Sequence, residues 1–234
     1  MSEMQEEHEM TIFEHLAELR QRLIIAGLAI LGGMCIALFF TWPVIDLLTK
    51  PAGVQLSALR PTETFTVYMK VALTVGTALA MPVIIWQALL FVLPALHKHE
   101  RRFLIFAVPG VTLSFCIGLT FGFLVVIPAA VRFLQGFGSD VVKANWSFEE
   151  YVSFVSSFLF WVGVTFETPL VLFTLAKMGV VTVAQLSRYR KYALLTAFII
   201  AAIITPTPDP LNQTIVAIPI YLLYELGVLM ARFA

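Results

Sequence analysis

The chain has 234 residues, of which 59% are hydrophobic and 13% charged, with a mean hydropathy of +0.90. A water-soluble domain is about a quarter charged, so this composition marks an integral membrane protein. Net charge is zero, which leaves no bulk basic field for nucleic acid, and the two cysteines, Cys35 and Cys116, sit in apolar runs with neither disulfide nor metal-ligand spacing.

Residues 1–10 are polar and acidic (Glu3, Glu6, Glu7, Glu9), unlike a secretory signal peptide. Thr11-Ile12-Phe13-Glu14 fits a capping box, in which the Thr and Glu side chains satisfy the first free N–H groups of a helix. Phe13, Leu16, Leu19 and Leu23 then keep helical spacing, while His15, Glu18, Arg20 and Arg22 fall on the other side. This predicts an amphipathic segment at the membrane surface, with residues 1–22 forming a cytoplasmic tail and helix. Glu18 and Arg22 are four apart in the order that favours an ion pair, although the same charges also suit a merely solvated face.

Residues 23–233 read as a six-span membrane domain. Span one covers 23–40, at about 27 Å. Residues 41–64 are punctuated by Pro43, Pro51, Gly53 and Pro61 yet rich in aliphatics, as expected of an ordered cap on the outer surface. Span two (65–93) contains Pro82, and span three (103–131) contains Pro109 and Pro128, so both are expected to tilt or bend. Around them, Val71 to Leu96 is a run of 26 residues and Phe103 to Val131 a run of 29 without Asp, Glu, Lys or Arg. Both runs exceed the roughly 20 residues that cross hydrocarbon, so His97 to Arg102 is a short polar hairpin. It holds Lys98, Arg101, Arg102 and a single carboxylate, Glu100. Glu100 either balances its basic neighbours in a topogenic loop or has a role of its own.

A second outer loop is marked by Gly136, Gly138, Ser139 and Asp140. Span four (148–176) has Ser147 as N-cap candidate and carries Glu167. An inner loop comes next, with Thr182 as a second cap candidate and a basic cluster of Arg188, Arg190 and Lys191. Span five (192–204) stops at a proline-rich turn, and span six (213–230) carries Pro219 and Glu225; both are thin for a bilayer. With both termini inside, ten Lys and Arg fall on inner segments and five on outer ones, as the positive-inside rule requires.

Little here supports an enzyme. There is no Gly-rich phosphate loop and no Ser-His-Asp order, and no cofactor or metal is expected. His15-x-x-Glu18 lacks the second histidine of a zinc-protease helix. Glu167 is the sharpest polar signal, roughly 15 Å from the inner end of its helix, where a carboxylate faces a cavity or stays protonated against a neighbour. Thr205, Gln213 and Thr214 form a further polar group, which suits either helix-to-helix hydrogen bonds or backbone freed by the prolines.

Taken together, several stretches resemble TatC, the polytopic receptor subunit of the twin-arginine protein translocase. They are His15-Leu16-Ala17-Glu18-Leu19-Arg20-Gln21-Arg22-Leu23, Pro94-Ala95-Leu96-His97-Lys98-His99-Glu100-Arg101-Arg102, Phe166-Glu167-Thr168-Pro169, Thr205-Pro206 through Asp209, Gln213-Thr214 and Ala217-Ile218-Pro219. The resemblance implies an all-α fold of six transmembrane helices bent into a concave cup, with both termini in the cytoplasm of a bacterial host. It implies that Glu18 and Glu100, with Phe91 nearby and His15, Arg20 and Arg22 alongside, receive the Arg-Arg pair of signal peptides on folded cargo. It places Glu167 on the cup lining and Thr205 and Gln213 against single-span partner subunits of the TatA and TatB type. Pro51 and Asp209 fall at outer-loop positions with a structural role, and other copies of the chain are expected partners. With no nucleotide site in the sequence, transport would draw on a membrane gradient or on partners.

The residue choice suits that reading, because a guanidinium forks onto a carboxylate whereas lysine is a point charge. The competing reading is an ion-coupled transporter that uses Glu167. It expects key carboxylates at midplane and repeated halves, while a receptor expects them at the surface, where Glu18 and Glu100 fall.

Overall fold

The computed structural model describes residues 12–92, 101–136, 146–204 and 210–233. Among these residues the fold is helical, and the sole strand-like feature is an isolated bridge between Ser57 and Ser147. The Thr11 capping box and the Gly138-Ser139-Asp140 turn lie outside the described residues.

α1 (Ile12–Leu38) is one uninterrupted helix. The amphipathic segment and the first span are thus continuous, because no Gly-Pro break separates them and Leu23 begins the apolar face directly. α2 (Thr41–Thr49) and a 3₁₀ turn (Lys50–Ala52) build the ordered cap expected of residues 41–64. Pro51 is the second residue of that turn, Gly53 closes it at φ 64°, and the Gln135 side chain donates to the Ala52 carbonyl. Positive φ suits glycine because it has no Cβ.

α3 (Glu63–Val92) contains Pro82 and runs antiparallel to α1, along most of which it packs. α4 (Arg101–Phe121) leads through a π-helical turn at residues 122–126 into α5 (Ile127–Gly136), so the third span is longer than expected and bulged. Here Pro128, which lacks an N–H, stands directly after the π-helical turn and removes one donor from a helical path that is otherwise continuous. α6 (Phe148–Phe166) and α7 (Thr168–Lys177) are the two halves of span four, broken at Glu167 two residues before Pro169. α8 (Val183–Arg188) is capped by Thr182 and Gln185 in a reciprocal capping box. α9 (Arg190–Ile204) and α10 (Pro210–Met230) complete the chain, and a final turn carries the helical path to Phe233. Among the described residues five helices are long and apolar enough to cross a membrane; α9, at 15 residues, is shorter.

Lipid, not water, is the solvent that this surface suits. Leu23, Leu28, Leu31 and Ile203 are all more than half exposed, and in water such a surface would be an aggregation hazard. The interior instead gathers Ile45, Val67, Val71, Ile127, Val152, Val155 and Phe158 around α3 and α6.

Two contacts fix the framework. Where α1 meets α3, Gly33 and Gly76 are both buried, and a Cβ on Gly33 would land on the Gly76 carbonyl oxygen. Small residues let membrane helices approach backbone to backbone, where dispersion and carbonyl contacts replace the missing hydrophobic drive. At the start of α3, Glu63 is only 2% exposed and its carboxylate is surrounded by donors. It accepts from the N–H groups of Leu59 (2.5 Å), Arg60 (3.0 Å) and Glu149 (2.7 Å) and from the Ser147 hydroxyl (2.6 Å). Ser147 in turn caps α6 through the Glu150 N–H at 3.4 Å. One carboxylate therefore joins the loop before α3 to the start of α6, beside the Ser57 bridge.

Two outcomes are expected. Gly76→Val drives a side chain into the Met34 backbone and should cost about 1–3 kcal/mol, read as a lower midpoint of thermal unfolding in detergent. Glu63→Ala strands three N–H donors and should cost about 2 kcal/mol or more, a fall of roughly 4–8 °C for a chain of this size. Glu63→Gln should fall between, since one acceptor oxygen survives.

Candidate functional site

The residues singled out near the amino terminus converge where the first turns of α1 meet the last turns of α3. His15, Glu18 and Arg22 lie at i, i+3 and i+7, which puts them on one helix face. Arg20, two positions beyond Glu18, falls on the exposed side of α1.

Glu18 and Arg22 are each 20% exposed at the side chain and form the local ion pair that their spacing predicts. The Arg22 Nε donates to Glu18 Oε1 at 2.9 Å, and Nη2 donates to the same oxygen. The third nitrogen, Nη1, reaches across to the Gln87 Oε1 of α3 at 3.3 Å. Glu18 Oε2 is buried and has no hydrogen bond among the described residues; His15 Nδ1 is 3.9 Å away. The His15 ring stacks on Phe91 with centroids 4.4 Å apart and planes 17° apart. The assembly is a carboxylate with one buried oxygen that has no hydrogen bond among the described residues, backed by an aromatic pair and engaged by a guanidinium. Chemically it suits a planar cation with an apolar neighbour. Glu100, the second carboxylate expected here, lies outside the described residues.

Gln87 was not singled out by sequence. Its signal was present, however: it is the one amide in the uncharged 26-residue run, one turn before Phe91. A polar side chain within an apolar helix costs free energy unless another helix supplies its partner.

The remaining candidates sit elsewhere. Glu167 occupies the junction of α6 and α7 and is 4% exposed, and neither carboxylate oxygen has a hydrogen-bond partner among the described residues. The junction is tied to α4 by the Ser114 hydroxyl, which donates to the Phe166 carbonyl at 2.6 Å. The kink expected from Pro169 is therefore present, and Glu167 is far in sequence from the Glu18 cluster. Gln213 donates through Nε2 to the Phe198 carbonyl at 2.9 Å, joining α10 to α9, and Thr214 donates to the Pro210 carbonyl at 2.6 Å. Of the two roles left open for this group, Gln213 fills the helix-joining one, while Thr214 bonds back to the carbonyl four residues earlier in its own helix. Thr205 and Asp209 lie outside the described residues. Toward the far end of α10, Glu225 accepts from Arg190 Nη2 at 2.9 Å and from the Tyr221 hydroxyl at 2.8 Å. No group of three or more His, Cys, Asp or Glu among the described residues is arranged to hold a metal ion.

Comparison with known proteins places the whole chain in a family. The family model "Sec-independent protein translocase protein (TatC)" matches residues 14–219. The chain is 40% identical over 232 residues to the Sec-independent protein translocase protein TatC of Aquifex aeolicus, covering 96% of each chain. It is 38% identical over 231 residues to that of Carboxydothermus hydrogenoformans, covering 97% of this chain and 95% of the relative. A crystal structure of the twin arginine translocase receptor TatC superposes with a TM-score of 0.83 at 40% identity, covering 94% of this chain and 99% of that one. A multi-pass membrane protein with these helices, matched from end to end, is a transport subunit rather than an enzyme, and the chain belongs to the TatC family of Sec-independent protein translocase proteins.

Proposed function

We propose that this translocase subunit is the receptor for signal peptides bearing an Arg-Arg pair on folded proteins, and that Glu18 and Glu100 each receive one arginine. In this reading six helices span the membrane, α9 being the fifth, and both termini face the cytoplasm of a bacterial inner membrane. The Lys and Arg excess on those segments supports that orientation. The observation that carries the reading is the Glu18 carboxylate, four-fifths buried beside the stacked His15 and Phe91 and engaged by a guanidinium. A carboxylate that pairs with a guanidinium has the geometry for one, and an incoming arginine would take the place of Arg22 there.

Single-span subunits of the TatA and TatB type would join through the α9 and α10 region of Thr205 and Gln213, and further copies of the chain would complete the complex. Pro51 and Asp209 would serve the outer loops, and Glu167 would line the cup. The gradient across the membrane would supply the energy. The transporter alternative rests on Glu167 alone, and membership in a translocase family does not favour it.

The test is equilibrium binding of an Arg-Arg signal peptide and its Lys-Lys counterpart to the purified chain. Glu18→Ala and Glu100→Ala should each weaken the Arg-Arg peptide by about 30-fold or more, because removing one partner of a partly buried ion pair costs about 2–5 kcal/mol. Equal binding of the two peptides, or wild-type affinity in both variants, would overturn the assignment.

A further inference from the structure

We infer that the polar cavity between the start of α3 and the start of α6 seats the head of a phosphatidylethanolamine-type lipid, with its phosphate on Arg60 and Lys70 and its ammonium on Glu149 and Glu150. The inference needs only the membrane location of the chain and is independent of the signal-peptide reading.

The cavity has a volume of about 330 Å³ and lies at the end of α3 opposite the Glu18 cluster. About ten waters would fill it, and it reaches the range of roughly 300–1,000 Å³ in which small-molecule sites fall. Two of its lining residues, Glu63 and Ser147, are already bonded to each other, and Glu63 also holds the N–H groups around it. The rest of the polar lining is Arg60, Lys70, Glu149, Glu150 and Ser153. Lys70 stands seven positions into α3, about 10 Å along the axis from Glu63. Its ammonium has three N–H donors and gives two, to Glu149 Oε1 at 2.6 Å and to the Ser153 hydroxyl at 3.5 Å, so one is left. The Arg60 and Glu150 side chains are exposed and form no ion pair among the described residues.

With Glu63 saturated, two cations and two carboxylates remain, and that balance selects the ligand. A lone anion meets Glu149 and Glu150, and a lone cation meets Arg60 and Lys70. A molecule that carries both signs a few bonds apart satisfies both pairs. Phosphoethanolamine has that form, a phosphate two carbons from a primary ammonium. Phosphocholine has the same phosphate, but its quaternary nitrogen has no N–H to donate to a carboxylate. Phosphoglycerol has the phosphate and no cation.

The surroundings favour a lipid over a soluble zwitterion. Leu59, 70% exposed, is the apolar wall of the cavity, and Leu73, one turn beyond Lys70 on the same face of α3, is 47% exposed. Acyl chains leaving the head meet these side chains, which a soluble ligand leaves uncovered. A water-filled cavity beside an ordinary ion pair makes a different forecast, because it gives no reason for one lipid head to be held over another.

The experiment strips lipid from the full chain in detergent and adds phosphatidylethanolamine, phosphatidylcholine or phosphatidylglycerol. Retained lipid is then counted by mass spectrometry of the intact protein. One phosphatidylethanolamine per chain is expected, with the other two lipids about tenfold weaker or more, since each lacks the charge-assisted bond to Glu150. Lys70→Gln and Glu150→Gln should each weaken phosphatidylethanolamine by about tenfold, and Glu150→Gln should also narrow its advantage over phosphatidylcholine. The Glu150 side chain is exposed, so that variant keeps the test open if Lys70→Gln does not fold. Glycerophosphoethanolamine, the head without its chains, should compete only at about a hundredfold higher concentration. Competition as strong as the lipid's own would assign the cavity to a soluble ligand and overturn the lipid source. Equal retention of the three lipids, or phosphatidylethanolamine retained unchanged in the variants, overturns the inference.

Discussion

The contact on which the candidate site depends is the crossing of α1 and α3 at Gly33 and Gly76. Because neither residue has a Cβ, the two backbones touch, and that single close approach sets the register of two antiparallel helices. Counting outward gives the consequence. Arg22 lies eleven positions before Gly33, and Gln87 lies eleven positions after Gly76, so both stand about 16 Å from the crossing and meet. Further out, two turns beyond Arg22 on α1 and one turn beyond Gln87 on α3, His15 and Phe91 stack. On the other side of the crossing, the Tyr68 hydroxyl donates to the Leu38 carbonyl at 2.6 Å, which pins the same register from the opposite direction. A site made of side chains from two helices is thus positioned by two residues that have no side chain at all.

The opposite end of α3 is held by a different kind of interaction. Glu63 gathers donors from the preceding loop and from the start of α6, so that one buried carboxylate replaces several separate caps. It resembles Glu18 in being a shielded carboxylate at a helix end, but it differs in satisfaction. Glu63 uses both oxygens on fixed partners, whereas Glu18 keeps one oxygen without a hydrogen bond among the described residues. A saturated carboxylate is a staple; a half-used one can still bind something. Glu167 is a third case, buried at the break between α6 and α7 with neither oxygen partnered among the described residues. Its position owes more to Pro169 than to any polar neighbour.

What was legible in the sequence was what local rules govern. The Ser147 cap, the Thr182 cap, the Glu18–Arg22 pair and the break near Pro169 all join residues within four positions of one another, and all are present. The all-helical membrane architecture came from runs of uncharged residues, a property that needs no knowledge of tertiary contacts. Gln87 and Glu63 were missed because their partners lie far along the chain, 65 positions away for Arg22 and 84 for Ser147. Gly33 and Gly76 were passed over for the same reason, since each acquires its meaning only from the other. The boundary between amphipathic segment and first span was drawn at Leu23 by composition, while the backbone runs straight through it, because a change of solvent along a helix does not require a break in its hydrogen bonds. The resemblance to TatC supplied the grouping of Glu18 with Phe91 before any geometry did, and the α1–α3 register now gives that grouping a physical cause.

The most direct measurement of the central claim is the location of bound cargo. An Arg-Arg signal peptide carrying a photoreactive group beside its arginine pair would be cross-linked to the chain in membranes, and the modified residues mapped by mass spectrometry. Adducts concentrated on residues 15–22 of α1 and 87–91 of α3 are the result this account predicts. Adducts on the cap at residues 41–64, or around Glu167 with none on the α1–α3 junction, would contradict it.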